Sequence, residues 1–285
     1  MNYKNITIGI VTFKSEKVIF SCLKSIKDVK KIIIFDNSND LNLKRKIIKQ
    51  YPHIKIFLSK KNIGYGEANN KIFKLVKTSH VLVLNPDTIL KKDCLKKLLI
   101  QANLIKNKFA IMAPLENKKN YGFFKNVQKI CFITKNLFSV DYVKGFAMLI
   151  NISKIKKIGM FDKNYFLYLE EIDLCKRLKS KNENIYLCNN AKIQHISAKS
   201  SNIGFEFEKC QNWHWMWSQA YYDRKFYNYT YAFKNNIFKL IRNFLKAIFF
   251  LIILNYKKSY IYYLRFSGVC NSLIGNKSWF RPNIN

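Results

Sequence analysis

Carboxylates are scarce in this chain, 17 Asp and Glu against 51 Lys and Arg, so the places where they gather carry the first chemical information. Three fall together in Phe166-Leu167-Tyr168-Leu169-Glu170-Glu171-Ile172-Asp173-Leu174. In an enclosed site their mutual repulsion raises their pKa values, which suits a base that takes a proton near neutral pH. Acids in the first turn of a helix, facing its macrodipole, would have the same spacing. Asp87 closes the run Val81-Leu82-Val83-Leu84-Asn85-Pro86-Asp87. A carboxylate on a proline-stiffened turn after a strand can hold a divalent cation, since magnesium sites combine one or two carboxylates with substrate phosphates. The competing reading is a turn in which Asp87 or Thr88 caps a helix beginning at Leu90.

Three further positions could serve a ligand. Asp36 ends Ile32-Ile33-Ile34-Phe35 and could accept hydrogen bonds from a base or ribose, or equally close an Asx turn with Asn37-Ser38-Asn39-Asp40. Asn62-Ile63-Gly64-Tyr65-Gly66 precedes a helical pattern, so its glycines could let backbone approach a phosphate at a helix N-terminus. His195, in Gln194-His195-Ile196-Ser197, is either a structural histidine or a ligand.

The elements that would position these residues alternate. Ile6 to Phe13, Ile32 to Phe35, Ile54 to Leu58 and Val81 to Leu84 read as strands, and Val18 to Ile26, Leu41 to Gln50 and Gly66 to Val76 as helices. A helix at Asp93 to Lys106 and a strand at Phe109 to Ala113 follow, then an aperiodic stretch over 114–141. Tyr142 to Ile150 reads as a strand, Ile172 to Leu178 as a helix and Ile185 to Cys188 as a last strand. Such alternation predicts an α/β fold with a mostly parallel central sheet flanked by helices, with ligands beyond the carboxyl ends of its strands. The clusters at 36–40, 62–70 and 85–88 all fall there.

The chain has 285 residues, 49% of them hydrophobic, and a formal net charge of +34. Length and apolar content exclude a disordered chain or a disulfide miniprotein. Seven scattered Cys with no C-x-x-C motif fit a reducing compartment. No charged-then-apolar leader precedes Ile6 and no uncharged run of about 18 apolar residues occurs, so the expected location is cytoplasmic. The charge calls for an anionic partner, be it nucleic acid, nucleotide phosphates or an acidic membrane face.

The order of these features resembles glycosyltransferase family 2, specifically its rhamnosyltransferase-like branch. The match runs through Val11-Thr12-Phe13, Ile34-Phe35-Asp36-Asn37-Ser38, Asn62-Ile63-Gly64-Tyr65 with Asn69, Asn85-Pro86-Asp87, Lys144-Gly145-Phe146-Ala147-Met148, Ile158-Gly159-Met160-Phe161-Asp162, the Tyr168 to Leu174 segment and His195. It implies a GT-A nucleotide-diphosphosugar-binding domain over residues 1–203 and inverting transfer of a sugar, of the dTDP-rhamnose or UDP-hexose type, with a divalent metal (Mg or Mn). By position, Thr12 and Asp36 would line the nucleoside pocket, and Asn62, Gly64 and Asn69 the nucleotide side. Asp87 would hold the metal with help from His195, Asn85 would occupy the first place of the same motif, and Gly145 would border the donor sugar. The base would be Glu171, one methylene longer than the usual Asp, or else Glu170, with Asp173 orienting the base or the acceptor. Lys14 departs from the family, which usually has Asn there.

Residues 204–285 form an aromatic and basic extension with helical patterning. Lys239, Arg242, Asn243 and Lys246 lie at three- and four-residue spacing before the apolar run Ala247 to Leu254. This is the pattern of a helix in an anionic membrane interface, or of a terminal helix packed on the domain. The expected acceptor is a glycan or lipid-linked hydroxyl, reached from the inner face of the cytoplasmic membrane. Trp213, Trp215 and Trp217 could be an acceptor wall, an interfacial anchor or core. Two rivals stand: an inactive homologue that binds glycan or nucleotide without transfer, and a basic nucleic-acid-binding protein, for which no recognition motif is present.

Overall fold

The computed structural model describes residues 3–116, 131–196 and 204–281. The chain divides into two compact units, one of Met1–Asp162 with Glu171–Asn202, the other of Lys163–Glu170 with Ile203–Asn285. Part of the aperiodic stretch over 114–141 lies outside the described residues.

In the first unit, β1 (Ile6–Thr12), α1 (Glu16–Ser25), β2 (Ile32–Asp36), α2 (Leu41–Gln50), β3 (Lys55–Leu58), α3 (Tyr65–Leu75) and β4 (His80–Leu84) follow the alternation of the sequence. Next come β5 (Thr88–Leu90), α4 (Cys94–Leu104), β6 (Ile111–Leu115), β7 (Cys131–Thr134), β8 (Leu137–Ser139), β9 (Ala147–Asn151), α5 (Ile152–Ile158), α6 (Glu170–Lys179) and β10 (Ile185–His195). The strand order is β3-β2-β1-β4-β9-β6-β10-β8-β7, with β5 paired to β10 off that path. All seven residues of β1 are buried, as expected of a strand covered on both faces. Ile8, Ile10, Ile32, Ile34, Leu82 and Leu84 share one core cluster with residues of α1, α2 and α4. Val11, Ile33, Val81 and Val83 share another with α3 and α6, so the period of two along each strand fills both layers.

The sheet is more mixed than the alternation predicts. β1, β2, β3 and β4 pair in parallel, but β9 lies antiparallel between β4 and β6. β9 follows the β7–β8 hairpin with no helix between and runs in the same sense as β8, reversed relative to β4, β6 and β10. A second difference concerns the expected helix at Leu90. Thr88-Ile89-Leu90 is a strand, antiparallel to Ile193, Gln194 and His195, and this pairing carries β10 well past Cys188; α4 starts only at Cys94.

The second unit is a three-helix assembly of α7 (Gly204–Phe226), α8 (Tyr229–Ile252) and α9 (Tyr256–Leu273). Asn228 and Asn255 cap α8 and α9, accepting from the N–H of Tyr231 at 2.7 Å and of Lys258 at 3.2 Å. Trp213 and Trp217, one helical turn apart, are core and donate to Ser267 Oγ and the Asn276 carbonyl; Trp215, on the opposite face, is exposed. Residues 163–170 belong to this core: Tyr165 packs edge-on against Trp217 and Tyr221, and Ser218 donates to the Leu167 carbonyl.

Helix α8 is amphipathic in the inverse sense. Its buried positions are Ala232, Asn236, Asn243 and Ala247, while Phe238 is 79% and Ile252 72% exposed and Ile241, Phe244, Leu245 and Phe249 also face outward. Asn236 donates to Asp223, and Lys239 donates to Gln219 and Asn236. The sequence stripe is therefore corrected: Lys239 and Asn243 belong to the packed side, and only Arg242 and Lys246 of the four stand exposed. Among the described residues no helix is long and apolar enough to cross a membrane.

Gly268 sets the approach of α9 to α7, because a Cβ there would meet the Trp213 carbonyl oxygen at 2.5 Å. Gly268→Ala gains about 1 kcal/mol of helix propensity, against an overpacking cost of about 1–3 kcal/mol or more. The clash is with backbone, so the variant is expected to be less stable, with a lowered denaturant midpoint in chemical unfolding.

Candidate active site

The turn after β4 is fixed from two sides. Asn85 N–H donates to the Phe146 carbonyl at 2.8 Å, and Thr88 N–H to the Asn85 carbonyl at 3.1 Å. The β5–β10 pairing then sets His195 opposite Thr88, and Ile196 N–H donates to the Asp87 carbonyl at 2.9 Å. His195 Nε2 consequently lies 3.3 Å from Asp87 Oδ1. The His195 ring stacks on Phe146 with centroids 4.7 Å apart, and its Nδ1 faces Glu116 Oε1 at 3.8 Å. Lys144 Nζ sits 3.9 Å from the other oxygen of Glu116 and over the Phe146 ring.

Asp87 is 4% exposed, and Asn85 Oδ1, Asp87 Oδ1 and Thr88 Oγ1 are buried without a hydrogen bond. Buried oxygens of this kind carry a desolvation cost until something binds them. With the imidazole beside them they fit a divalent cation. One carboxylate with one imidazole suits a cation that takes its remaining ligands from phosphate oxygens; among the described residues no three His, Cys, Asp or Glu side chains gather to hold a metal ion.

Glu171 stands in the first turn of α6. A Cβ on Gly145 would lie 3.6 Å from its Cδ, so the small residue leaves the carboxylate uncovered by a side chain on that side. Burial raises the Glu171 pKa, while its own N–H and those of Gly145 and Ile172 hold it down in part. Tyr65 Oη donates to the Gly145 carbonyl at 2.6 Å. Tyr168 and Leu169, just before α6, both have positive φ, 71° and 68°. Glu170 is buried. Asp173 is engaged elsewhere: it accepts from Arg177 Nε at 2.7 Å, and Arg177 clamps the carbonyls of Ile158, Gly159 and Met160. Asp173 thus anchors the Arg177 clamp beside the paired glutamates.

The Asp36 carboxylate accepts from Thr12 Oγ1 at 2.7 Å, Ser38 Oγ at 2.8 Å and the N–H groups of Ser38 and Asp40. Both its oxygens thus accept local hydrogen bonds that order the 36–40 turn. Asn37 ties this turn to the next loop, donating to the Gly64 carbonyl and accepting from Ile63 N–H. Asn62 Oδ1 accepts from Gly64 N–H, and Gly64 holds φ at +86° as the N-cap of α3, a conformation that favours glycine. Asn69 donates to the Tyr65 carbonyl and keeps its Oδ1 buried without a hydrogen bond. The sequence reading missed Glu116 as a site residue, although it follows β6 just as Asp87 follows β4.

Residues 7–173, more than half of the chain, match the family model for glycosyl transferase family 2. The chain belongs to this family. It is 28% identical over 200 residues to the low-salt glycan biosynthesis hexosyltransferase Agl10 of Haloferax volcanii, covering 65% of this chain and 64% of that protein. It is 27% identical over 222 residues to the rhamnosyltransferase WbbL of Escherichia coli, covering 68% and 83%. The match thus spans less than two-thirds of the Haloferax protein. The mannosyltransferase PcManGT of Pyrobaculum calidifontis, solved with GDP-Man and Mn2+, superposes with a TM-score of 0.61 at 12% identity, over 94% of this chain and 87% of that one. GalNAc-T7, solved with UDP, GalNAc and Mn2+, gives 0.55 at 13% identity, over 68% and 44%. The fold is GT-A, with a C-terminal helical region.

Within this family 2 chain the Asp173–Arg177 pair generates a test. Asp173→Asn removes the charge that holds the clamp on residues 158–160. The expected cost is about 1.5–3 kcal/mol, the range for a hydrogen bond to a charged group, read as a lowered midpoint in denaturant unfolding. A variant of wild-type stability would overturn the pair's part in holding residues 158–160.

Proposed function

We propose that the protein is an inverting glycosyltransferase that moves a sugar from a nucleotide-diphosphosugar, of the dTDP-rhamnose or UDP-hexose type, to a hydroxyl of a glycan or lipid-linked acceptor in surface polysaccharide synthesis. The observation that carries this reading is the Asp87–His195 pair beside unsatisfied buried oxygens at the carboxyl end of β4. Family membership and the relatives' hexosyl and rhamnosyl transfer support it. Asp87 is the principal protein ligand for Mg or Mn, His195 its neighbour, and Asn85 the first oxygen of the same turn. When bound, the cation neutralises charge on the departing diphosphate.

The chain's own groups do the rest. Glu171 takes the acceptor hydroxyl's proton as that oxygen attacks the anomeric carbon, and the bond to the diphosphate breaks on the opposite face, so one displacement inverts the configuration. Gly145 borders the donor sugar beside Glu171. Thr12 and Asp36 shape the nucleoside pocket by ordering the 36–40 turn, and Asn62, Gly64 and Asn69 form the nucleotide side, Asn69 with a free buried acceptor. The protein works peripherally on the inner face of the cytoplasmic membrane, held by its cationic C-terminal unit against anionic lipid.

Two measurements test this. Asp87→Asn is expected to lower transfer by about 100-fold or more with an unchanged melting curve, and excess chelator to abolish turnover of the wild type; full turnover in chelator would refute the cation. Glu171→Gln is expected to lower kcat by about 10²–10⁴-fold, the range for general acid–base catalysis, with donor affinity nearly constant. The sign of the pH dependence follows from the raised carboxyl. Only the ionised form accepts a proton, so wild-type activity falls on acidification at a pH above the ordinary glutamate range, and the Gln variant lacks that limb. If Glu170→Gln behaves in this way instead, the base is Glu170.

A further inference from the structure

Helices α8 and α9 leave a cleft of about 500 Å³ between them. Phe244, Ile248 and Leu251 form one wall and Tyr256, Tyr260 and Tyr263 the other, at the i, i+4, i+7 spacing of one helix face on each side. Ala247 and Ser259 are the small residues of the lining, and Ser259 Oγ donates to the Ala247 carbonyl at 2.8 Å. Four of the six wall residues are at least half exposed or nearly so: Leu251 52%, Tyr256 63%, Tyr263 52% and Phe244 47%. A slot this apolar within the usual ligand-pocket size range has hydrocarbon as its natural occupant.

Lysines stand beside this lining. Lys209 lies over the cleft residue Tyr260 at 5.5 Å, and Lys246, Lys257 and Lys258 are chain neighbours of the lining residues Ala247, Tyr256 and Ser259, each over an aromatic ring outside the cleft, Tyr262 at 5.1 Å, Phe205 at 5.9 Å and Phe250 at 5.3 Å. Lys209 also pairs with Glu206. Beyond Asp223 the sequence holds no Asp or Glu and eleven Lys and Arg. An apolar slot with ammonium groups seated on aromatic rings beside it is complementary to an amphiphile with a long hydrocarbon tail and an anionic head.

We propose that the α8–α9 cleft binds the hydrocarbon chain of a lipid phosphate, the carrier portion of a lipid-linked acceptor, with the phosphate held by the lysines of its rim. This rests on the acceptor reading given above and deepens it by naming where the chain goes. The α8 face agrees with the assignment, since a helix that packs through Asn236, Asn243 and Ala247 and shows Phe and Leu outward is matched to a non-aqueous surrounding.

The test is equilibrium binding of a dansylated farnesyl phosphate to the full-length protein, followed by fluorescence, with competition by geranylgeranyl phosphate, phosphatidylglycerol and inorganic phosphate. Geranylgeranyl phosphate is expected to displace the probe at least about tenfold more effectively than either of the others. Ile248→Asp and Leu251→Asp, which place a carboxylate on the exposed lip, are expected to weaken probe binding at least about tenfold. Leu104→Asp, an exposed site on α4, makes the same charge change and should bind as wild type, and melting curves of all three should match. Equal binding by the lip variants overturns the site. Equal competition by phosphatidylglycerol makes the occupant bulk bilayer lipid and overturns the carrier assignment, while displacement by inorganic phosphate alone reduces the rim to an anion site. Hydrolysis of nucleotide-sugar donors by the wild type, measured without acceptor, reports separately on the transferase reading, so failure of one leaves the other standing.

Discussion

The reversed direction of β9 is the constraint from which the site follows. A strand running parallel to β4 would bring its own carboxyl end to the ligand edge of the sheet, whereas an antiparallel strand delivers the residues that precede it. Those residues are Lys144, Gly145 and Phe146. Phe146 accepts from Asn85 N–H with its carbonyl and supports the His195 ring with its side chain, so one residue fixes both halves of the Asp87–His195 pair. Gly145 lies against Glu171 and receives Tyr65 Oη, and Lys144 faces Glu116. The Asp87–His195 pair, Gly145 and Glu171 are thus hung on one strand entry.

A burial argument explains why the pair needs such support. Asp87 is an almost fully buried carboxylate, and burial of an ionised group is costly unless charge or hydrogen bonds compensate. Its Oδ1 makes no hydrogen bond and finds only the imidazole at 3.3 Å. Backbone bonds on both sides of the turn therefore hold the oxygens in place against that desolvation cost. Asp36 is the contrast, because its carboxylate is already saturated by Thr12, Ser38 and Asp40 and serves to shape a loop.

How much of this was legible in the sequence follows from range. Strands β1 to β4 and helices α1 to α3 were readable because their apolar runs and periodicities are local and strong. β5 was not, since three residues ending in Ile-Leu look like a helix start until the partner in β10 is known. The Asp87, Glu171 and His195 positions were visible as types in order, but the Glu116 contact to His195 depends on strands that neighbour only in space. Asp173 was read with the acids beside it, yet its partner at i+4, Arg177, was within reach of the helix spacing rule. In the tail, the spacing of Lys239, Arg242, Asn243 and Lys246 gave a stripe but not its direction. Asp223, Asn236 and Gln219 turn part of it inward through hydrogen bonds that no periodicity records.

The approach to α6 shows how backbone strain and pKa tuning meet at one point. Two successive non-glycine residues at positive φ cost of order 1–3 kcal/mol each, and they sit immediately before the paired glutamates. Tyr168 is fixed edge-on to Trp215, so the strain is sustained by aromatic packing of the segment rather than relaxed into a longer helix. The consequence falls on Glu171, which lies in the first turn of α6, where backbone N–H groups are available to a carboxylate. Those donors lower its pKa while burial raises it, with burial the larger effect. The two effects oppose each other at one carboxylate, which is the balance that the proposed base needs.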